Sequence, residues 1–542
     1  MAKYEIKDGV GIIPAGATMI QSRAFDSCEE LTSVIIPDSV QLIDSYAFCQ
    51  CPNLKNVFIP ESVKEIGKCV FYECTSLESL TIPDSVKQIG ACAFQFCESL
   101  KSINLPSGCN EIGKRCFFGC YNLSKISLPS SLTVLEDTMF CACRSLQEVS
   151  IPAGLKLIKE EAFSGCESLT HFALPASLVE IRRGAFSESG LQELFIPASV
   201  KSIDEGIVAY CKGLTRIAVD KGNKFYDSRE DCNAIIDKKK RKLIAGCATS
   251  SIPDSVSSIG ERAFLASDIS AIAIPNSVRW IEDEAFHKCE KLTEVDIPGS
   301  VSVISGWSFA ECKNLSSVFL HEGVIEIQNH AFHGCPIQSI DLPSSLITLE
   351  SSCFYGTDIS TVKIPEGVTE IALDAFGSCK NLVSVAIPSS VKVLGTGCIN
   401  GTNGVFAGCN KLQSVMIPMG VEKIGNATFA HCLDLQYVQL PESVKTIGPC
   451  AFYKCTALKE IKLPSSLTAL GDEEYGVFDG CDNLEAIYCP VSDPAQIATH
   501  RGVELGGHQA TLYVPAGSVA AYKKKAVWKK FAAIKPIPEY SN

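Results

Sequence analysis

The sequence predicts one repeat solenoid, α/β to mostly β in class, with about 22 coils of 22–23 residues. One observation is the spacing of proline, which recurs every 23 residues at positions 14, 37, 60, 83, 106, 129, 152 and 175. Another is that 18 of the 26 Phe and 16 of the 28 Cys each occupy a single position of this period. A length of 542 residues would otherwise suggest several globular domains, so the period replaces them with one array.

The repeat unit indicates which of its positions face the core. Counted from proline, it reads P-x-S-V-x-x-I-G-x-x-A-F-x-x-C-x-x-L-x-x-I-x-I, and a clear copy begins at Pro83. The L-x-x-I-x-I stretch is a form of the leucine-rich-repeat signature. Its alternation predicts a short strand with Leu100 and Ile103 inward and with Ser102 and Asn104 outward. The S-V-x-x-I stretch predicts a second short extended piece, and A-F-x-x-C predicts a turn or a 3₁₀ segment.

Stacked coils bury apolar faces that no single coil can bury, which predicts a leucine-rich-repeat arc or right-handed superhelix. The repeated Cys is interpreted as a small buried hydrophobe that recurs once per coil, as a reduced thiol. The remaining cysteines are open to either interpretation. Cys69 and Cys92 share a position in successive coils, and Cys232 and Cys247 flank an irregular repeat, so either pair could bridge in an oxidising compartment.

Four segments are expected along the chain. Residues 1–219 are N-terminal coils, 220–252 an irregular repeat with an inserted β-hairpin, 253–510 further coils, and 511–542 a strand–helix cap. The hairpin is expected to project from the solenoid, because two apolar runs flank a basic turn. The run Lys238–Lys242 is interpreted as that solvated turn, with a nuclear-localisation signal as the alternative. Loop insertions are expected at 395–404 and near 472–475. In the cap, Tyr522, Trp528 and Phe531 are expected to cover the open end.

The repeat resembles the BspA-type, or Treponema-type, leucine-rich repeat. The resemblance rests on I-P-x-S-V-x-x-I-G-x-x-A-F-x-x-C-x-x-L, which recurs from about Asp8 to Ile537, and on the terminal strand Thr511–Pro515 with the aromatic cap. It implies a surface or secreted protein linked to adhesion. The implied partners are protein ligands, with host matrix or cell-surface proteins as the expected class, and a monomer is expected. After Met1 the chain enters the first repeat at once with no visible signal peptide, so a cytoplasmic scaffold or regulator is the alternative.

Catalytic, cofactor and metal chemistry find no support in the sequence. No phosphate-binding loop, nucleophile elbow or zinc-protease motif is present. His330 and His333 flank the Ala-Phe pair of one coil but lack acidic ligands at metal spacing. The net charge of -13 disfavours nucleic acid and anionic membrane as partners, and no apolar run is long enough to span a bilayer. The chain is therefore predicted to be non-enzymatic, with no cofactor and no metal.

Binding is expected on the outward positions of the L-x-x-I-x-I strands, which would line a concave face. These positions are rich in Ser, Thr and Ala, with isolated aromatic residues among them. Aromatic side chains dominate binding hot spots, although an exposed sheet also tolerates them for their β-propensity. The candidate concave-face binding residues are Phe58, Phe195, Phe319, Tyr437 and Tyr488.

Overall fold

The computed structural model describes residues 4–395, 403–471, 476–499 and 505–538. Within them the chain is a mostly β solenoid of about 22 turns with little helix, which confirms the predicted fold class. It divides into two compact units, Met1–Ile269 and Ser270–Asn542. A typical coil contributes a strand of three or four residues, a strand of two residues, and a turn that carries the Ala-Phe pair.

The long-strand ladder of the first unit is formed by the L-x-x-I-x-I stretches, which pair in parallel and in register. In Ser79–Thr81 the central Leu80 is buried while both flanking side chains are exposed, as the alternation predicts. At the N-terminal edge, Glu5–Lys7 pairs antiparallel with Val10–Ile12. The other strands are Ser33–Ile35, Asn56–Phe58, Ser102–Asn104, Lys125–Ser127, Glu148–Ser150, Glu193–Ile196 and Arg216–Val219.

The short-strand ladder of the same unit is formed by the S-V-x-x-I stretches, again parallel and in register. Its isoleucine or leucine side chains point into the core, and Ile66 and Ile89 are fully buried. The strands are Met19–Ile20, Leu42–Ile43, Glu65–Ile66, Gln88–Ile89, Glu111–Ile112, Val134–Leu135, Leu157–Ile158, Glu180–Ile181, Ser202–Ile203 and Ser258–Ile259.

Three antiparallel strands occupy the irregular repeat: Tyr226–Asp227, Ile235–Asp237 and Lys242–Ala245, with a 3₁₀ turn at Arg229–Asp231. The predicted hairpin is present, because Ile235–Asp237 pairs antiparallel with Lys242–Ala245, but the expectation that it projects from the solenoid is wrong. Every residue of Lys242–Ala245 is buried, and this strand pairs in parallel with Ser258–Ile259. It therefore belongs to the short-strand ladder, because burial of its apolar side chains in the core is lower in free energy than their exposure on a projecting hairpin.

The second unit contains the same two ladders. The long strands are Glu294–Ile297, Ser317–Leu320, Thr361–Lys363, Ser384–Ala386, Ser414–Met416, Tyr437–Gln439, Glu460–Lys462 and Ala486–Tyr488. The short strands are Trp280–Ile281, Val303–Ile304, Glu326–Ile327, Thr348–Leu349, Glu370–Ile371, Val393–Leu394, Lys423–Ile424, Thr446–Ile447 and Ala469–Leu470. Both sets pair in parallel, so outward side chains of successive coils stand side by side.

The A-F-x-x-C segment is a turn, which decides between the two predicted alternatives. In one coil Cys69, Phe71 and Glu73 each donate a backbone N–H to a carbonyl of the next coil, at N···O distances of 2.9, 2.8 and 2.8 Å. Cys69 and Glu73 have φ of 55° and 56°, so left-handed residues lie on both sides of the phenylalanine. Such residues cost free energy by themselves, and the bonds between coils offset that cost.

Phenylalanine rings form the centre of the core. From Phe25 to Phe186, the rings of successive coils in the first unit stack with centroids 5.3 to 5.7 Å apart. A comparable series runs from Phe286 to Phe478 in the second unit. The repeated Phe therefore packs mainly against its own copies.

The C-terminal cap agrees with the predicted strand and helix and adds a further strand. Thr511–Val514 is followed by a 3₁₀ turn at Ala516–Ser518, the helix Val519–Lys524, a 3₁₀ turn at Trp528–Lys530 and the strand Ala533–Pro536. Tyr522, Trp528 and Phe531 are buried, and the Tyr522 hydroxyl donates to the carbonyl of Val491 at 2.9 Å. These three aromatic residues therefore enclose the last coil. Of the predicted insertions, 396–402 within 395–404 and the whole of 472–475 lie outside the described residues.

Candidate protein-binding face

The strand face, defined as the outward positions of the long-strand ladders, presents large side chains to solvent. Phe58, Phe195, Phe319 and Tyr437 are exposed, and Tyr488 is half-buried. The structure therefore places all five candidate residues on outward positions of long strands. Their role in binding stays a prediction.

The N-terminal end of the strand face carries a continuous apolar row. Ile12, Ile35 and Phe58 are paired in register on neighbouring strands. Ile35 is 68% exposed and Phe58 is 75% exposed, which is far more than any residue of the phenylalanine core. A shallow groove of about 560 Å³ runs beside them and is lined by Ser33, Asn56 and their neighbours. Contiguous exposed apolar surface of this kind is typical of interaction sites.

The surroundings of Phe195 are charged. Glu193, two residues earlier on the same strand, lies 4.0 Å from His171 Nδ1 and 3.9 Å from Arg216 Nη1 on the neighbouring coils. A groove of about 310 Å³ is lined by these three side chains and Phe195. This part of the face therefore combines one aromatic anchor with a polar border.

In the second unit the candidate residues have different neighbours. Phe319 is paired in register with Asp296, whose carboxylate lies 2.6 Å from His321 Nε2. Tyr437 lies beside the strand that carries Met416, and the Met416 side chain is strongly exposed. Methionine adapts its shape to different partners, so Met416 is a residue that selection by aromatic character alone misses.

Tyr488 belongs to a row that the repeat pattern did not reveal. Its ring stacks on that of Tyr513, with centroids 4.9 Å apart and an interplanar angle of 14°. Lys462 precedes Tyr488 in register, and Lys535 follows Tyr513. The assignment of Thr511–Val514 to the cap hid this row. The signal was nevertheless present, because Thr-Leu-Tyr-Val at 511–514 matches Ala-Ile-Tyr-Cys at 486–489 position by position.

Outside the strand face, a histidine–tryptophan cluster lies on the turn side of the second unit. Trp307 stacks on His330 at 4.1 Å, and His333 stacks on Tyr355 at 5.0 Å. His287 lies 5.7 Å from Trp307. Burial lowers the pKa of His287, His330 and His333 below the usual value for histidine. The cluster therefore favours neutral imidazoles that pack as aromatic rings.

Neither a metal site nor a membrane-spanning helix occurs among the described residues. No group of three or more His, Cys, Asp or Glu side chains there could hold a metal ion. No helix in the described ranges is long and apolar enough to cross a membrane.

The repeated cysteine has a specific contact. Cys120 Sγ donates to the carbonyl oxygen of Phe94, one coil earlier, at 3.1 Å, and burial raises the pKa of this thiol well above its usual range. The same bond, to the phenylalanine carbonyl of the coil before, recurs at Cys51, Cys74, Cys97, Cys143, Cys166, Cys312, Cys335, Cys432 and Cys455. In the coil of Phe354, Thr357 takes the position of the repeated Cys and donates to the carbonyl of Phe354 in its own coil at 3.0 Å. The position therefore selects a small hydrogen-bond donor as well as an apolar volume.

The sequence leaves two disulfide bridges open among the other cysteines, Cys69 with Cys92 and Cys232 with Cys247. All four residues are free thiols in the structure. The basic run Lys238–Lys242 is largely bound to the fold. Lys238 Nζ donates to the carbonyl of Asn223, Arg241 Nε donates to that of Ser255, and Lys242 forms an ion pair with Glu205. These contacts favour the turn interpretation, because a linear targeting signal must be accessible as an extended peptide.

The fold and its exposed strand face define a leucine-rich-repeat solenoid. The sequence matches the family described as "BspA type Leucine rich repeat region (6 copies)" over residues 18–147, 133–229, 245–349, 304–405 and 402–497. The match covers more than half of the chain, so this protein belongs to the BspA-type leucine-rich-repeat family.

Several solved structures are similar to this chain. A leucine-rich repeat protein from Bacteroides ovatus ATCC 8483 is 24% identical over 83% of this chain and 83% of its own, with a TM-score of 0.36. A leucine rich cell surface protein from Faecalibacterium prausnitzii A2-165 is 24% identical over 90% of this chain and 93% of its own, with a TM-score of 0.37. The leucine rich repeat protein of T. pallidum is 30% identical over 30% of this chain and 78% of its own, with a TM-score of 0.28. A comparison with curated protein sequences gave no match.

Proposed function

We propose that this chain is a non-enzymatic protein-interaction solenoid that acts at a cell surface, in adhesion to host proteins or to other cells. The resemblance to BspA-like proteins supports the surface role. Leucine-rich-repeat solenoids bind proteins on extended surfaces, which supports the interaction role.

One observation carries this proposal: large apolar side chains stand exposed in register on the strand face. Isolated exposed apolar residues are ordinary, but Ile12, Ile35 and Phe58 form an unbroken row. Burial of such a row in a complex would supply the hydrophobic centre that protein interfaces need, with the neighbouring Ser and Asn side chains at the rim.

The binding test compares two variants of the full chain. The triple variant Phe58→Ser/Phe195→Ser/Phe319→Ser removes three aromatic side chains from the strand face. Trp280→Ser is the matched control, because Trp280 is a large exposed aromatic, 57% exposed, on a short strand instead. We expect the triple variant to lose binding to immobilised matrix proteins and to cells, while the control binds like wild type. Equal binding by all three proteins would refute the assignment of binding to this face.

A second candidate is an intracellular scaffold, and the thiols favour it. The cysteines of the described residues are free, and those of the repeated position act as S–H donors in the core. Free thiols in this number suit a reducing compartment. Protease treatment of intact native cells distinguishes the candidates. Digestion of the protein would support the surface role, whereas full protection, with digestion after lysis, would refute it.

A further inference from the structure

We propose that the lysine–tyrosine row, defined as Lys462, Tyr488, Tyr513 and Lys535, binds an extended acidic segment of a partner protein. This inference rests on the proposed protein-binding function, because it assigns a partner chemistry to one part of the strand face. The evidence is the register of the row, the contacts of its aromatic rings, the sign of its charge and its length.

Register places the four side chains in one line. Lys462 pairs with Tyr488, Tyr488 with Tyr513, and Tyr513 with Lys535, on four consecutive parallel strands. Both lysines are exposed and both tyrosines are half-buried. The parallel outward row beside it carries the small residues Ala486, Thr511 and Ala533 at three of its four positions. The lysine–tyrosine row therefore borders a strip where a peptide backbone could lie.

Both neighbours of Tyr488 in the row contact its ring. Tyr488 and Tyr513 stack on each other at 4.9 Å, and Lys462 Nζ lies 5.9 Å from the centroid of the Tyr488 ring. A ligand that stacks on the face of Tyr488, such as a sugar or a nucleobase, would have to displace one of these contacts. Phenol and ammonium groups both donate hydrogen bonds to carboxylates, so the row presents the kinds of donor that an acidic partner binds.

The local charge has the sign that such a partner needs. Residues 505–538 contain six Lys and no Asp or Glu, in a protein whose net charge is -13. The nearest acidic residues on these strands are Glu460, on the parallel row, and Glu485, just before the strand Ala486–Tyr488. Lysine side chains on an otherwise acidic protein attract acidic segments.

The length of the row also fits an extended chain. Four strands about 4.8 Å apart place the two lysines about 14 Å from each other. An extended peptide rises about 3.4 Å per residue, so side chains four residues apart, on one face, are separated by about 14 Å. Carboxylates at positions i and i+4 of a partner would therefore reach both lysines, with the tyrosine hydroxyls beside the intervening acidic position.

The test measures fluorescence anisotropy of a labelled peptide of about twelve residues that alternates Glu and Ser, long enough to span the row. The protein is the full chain. We compare wild type with Lys462→Ser/Lys535→Ser, and with Lys363→Ser as the matched control. Lys363 is an exposed lysine on the same kind of strand position, and its partner in register is Ala386 instead of tyrosine. A Gln–Ser peptide tests the charge, and Tyr488→Phe/Tyr513→Phe tests the hydroxyl groups.

We expect the double lysine variant to bind the acidic peptide about tenfold more weakly, because it removes two exposed charge contacts. The Lys363→Ser variant should bind like wild type, the double Phe variant should bind more weakly than wild type, and the Gln–Ser peptide should not bind.

Binding by the Gln–Ser peptide as strong as that by the acidic peptide would overturn the charge assignment and leave the strand face as a binding site. An equal loss in Lys363→Ser would overturn the assignment to this row. Binding of a sulfated polysaccharide but not of the peptide would overturn it in favour of a glycan. Failure of the broader proposal is a different result, in which the triple Phe variant retains adhesion whatever the peptide does.

Discussion

Replacement of Phe94 by alanine tests the packing of the solenoid core most directly. Phe94 is completely buried, and its ring lies between those of Phe71 and Phe117 at centroid distances of 5.4 and 5.5 Å. The substitution removes the ring from both neighbours. The coils above and below are held by hydrogen bonds of the long-strand ladder, of the short-strand ladder and between the turns, so they cannot collapse into the space.

The expected magnitude follows from these contacts. Loss of a buried phenylalanine side chain costs about 2–3 kcal/mol of transfer free energy. Loss of two aromatic contacts adds about 0.5–1.5 kcal/mol each. The sum of about 3–6 kcal/mol overlaps the range of about 3–5 kcal/mol typical of Phe→Ala in protein cores. Phe94→Leu keeps most of the volume and should cost clearly less.

Urea denaturation followed by circular dichroism measures the change in the free energy of unfolding. Repeat proteins can lose cooperativity, so the slope of the transition must be compared along with its midpoint. Phe58→Ala is the matched control, because it removes the same side chain from an exposed site and should change stability by less than about 0.5 kcal/mol. If Phe94→Ala cost less than about 1 kcal/mol, or no more than the control, the stacked core would not stabilise the fold as argued.

Three further outcomes are expected. Cys120→Thr should be about 1 kcal/mol more stable than Cys120→Val, because threonine has nearly the shape of valine but can still donate to the carbonyl of Phe94 that the thiol binds. Equal denaturation midpoints for the two variants would contradict a role for this hydrogen bond. Burial lowers the pKa values of His330 and His333 in the folded protein. The unfolded chain therefore binds more protons than the folded protein below the usual histidine pKa of about 6.5. The contribution of the two histidines to the free energy of unfolding falls as the pH decreases through about 6.5. Burial raises the pKa of Asp374 to about 6, so this carboxyl makes the folded protein more stable as the pH decreases. The measurement is therefore the difference in denaturation midpoint between wild type and His330→Gln/His333→Gln, from about pH 7 to pH 5. A difference independent of pH would contradict the argument. Trp528→Ala should open the cap, reduce hydrogen-exchange protection of the strands Ala486–Tyr488 and Thr511–Val514, and increase light scattering; unchanged protection would show that the last coil does not need this side chain.

The repeat period made much of this fold predictable. Because every coil stacks on a copy of itself, one apolar pattern describes the burial of the whole array. Ile103 is buried as predicted, and so are the three aromatic residues of the cap. The outward position of Phe58 followed from the same alternation. Which exposed residues bind a partner did not follow, because exposure is a property of the chain alone and binding depends on a second molecule.

Tertiary contacts decided the features that depend on the neighbouring coil. Residue type does not reveal that Cys69 and Glu73 adopt positive φ, because hydrogen bonds to the next coil select that conformation. It does not reveal that Lys242–Ala245 joins a ladder, because that choice depends on the strand beside it. Nor does it show that Tyr513 completes a row with Tyr488, which needs two strands from separate segments to lie side by side. The sequence by itself determined the coil and its inward positions, since these repeat with one period. Only the stacked structure decided the turns, the irregular repeat and the rows of the strand face, since each of these arises between coils.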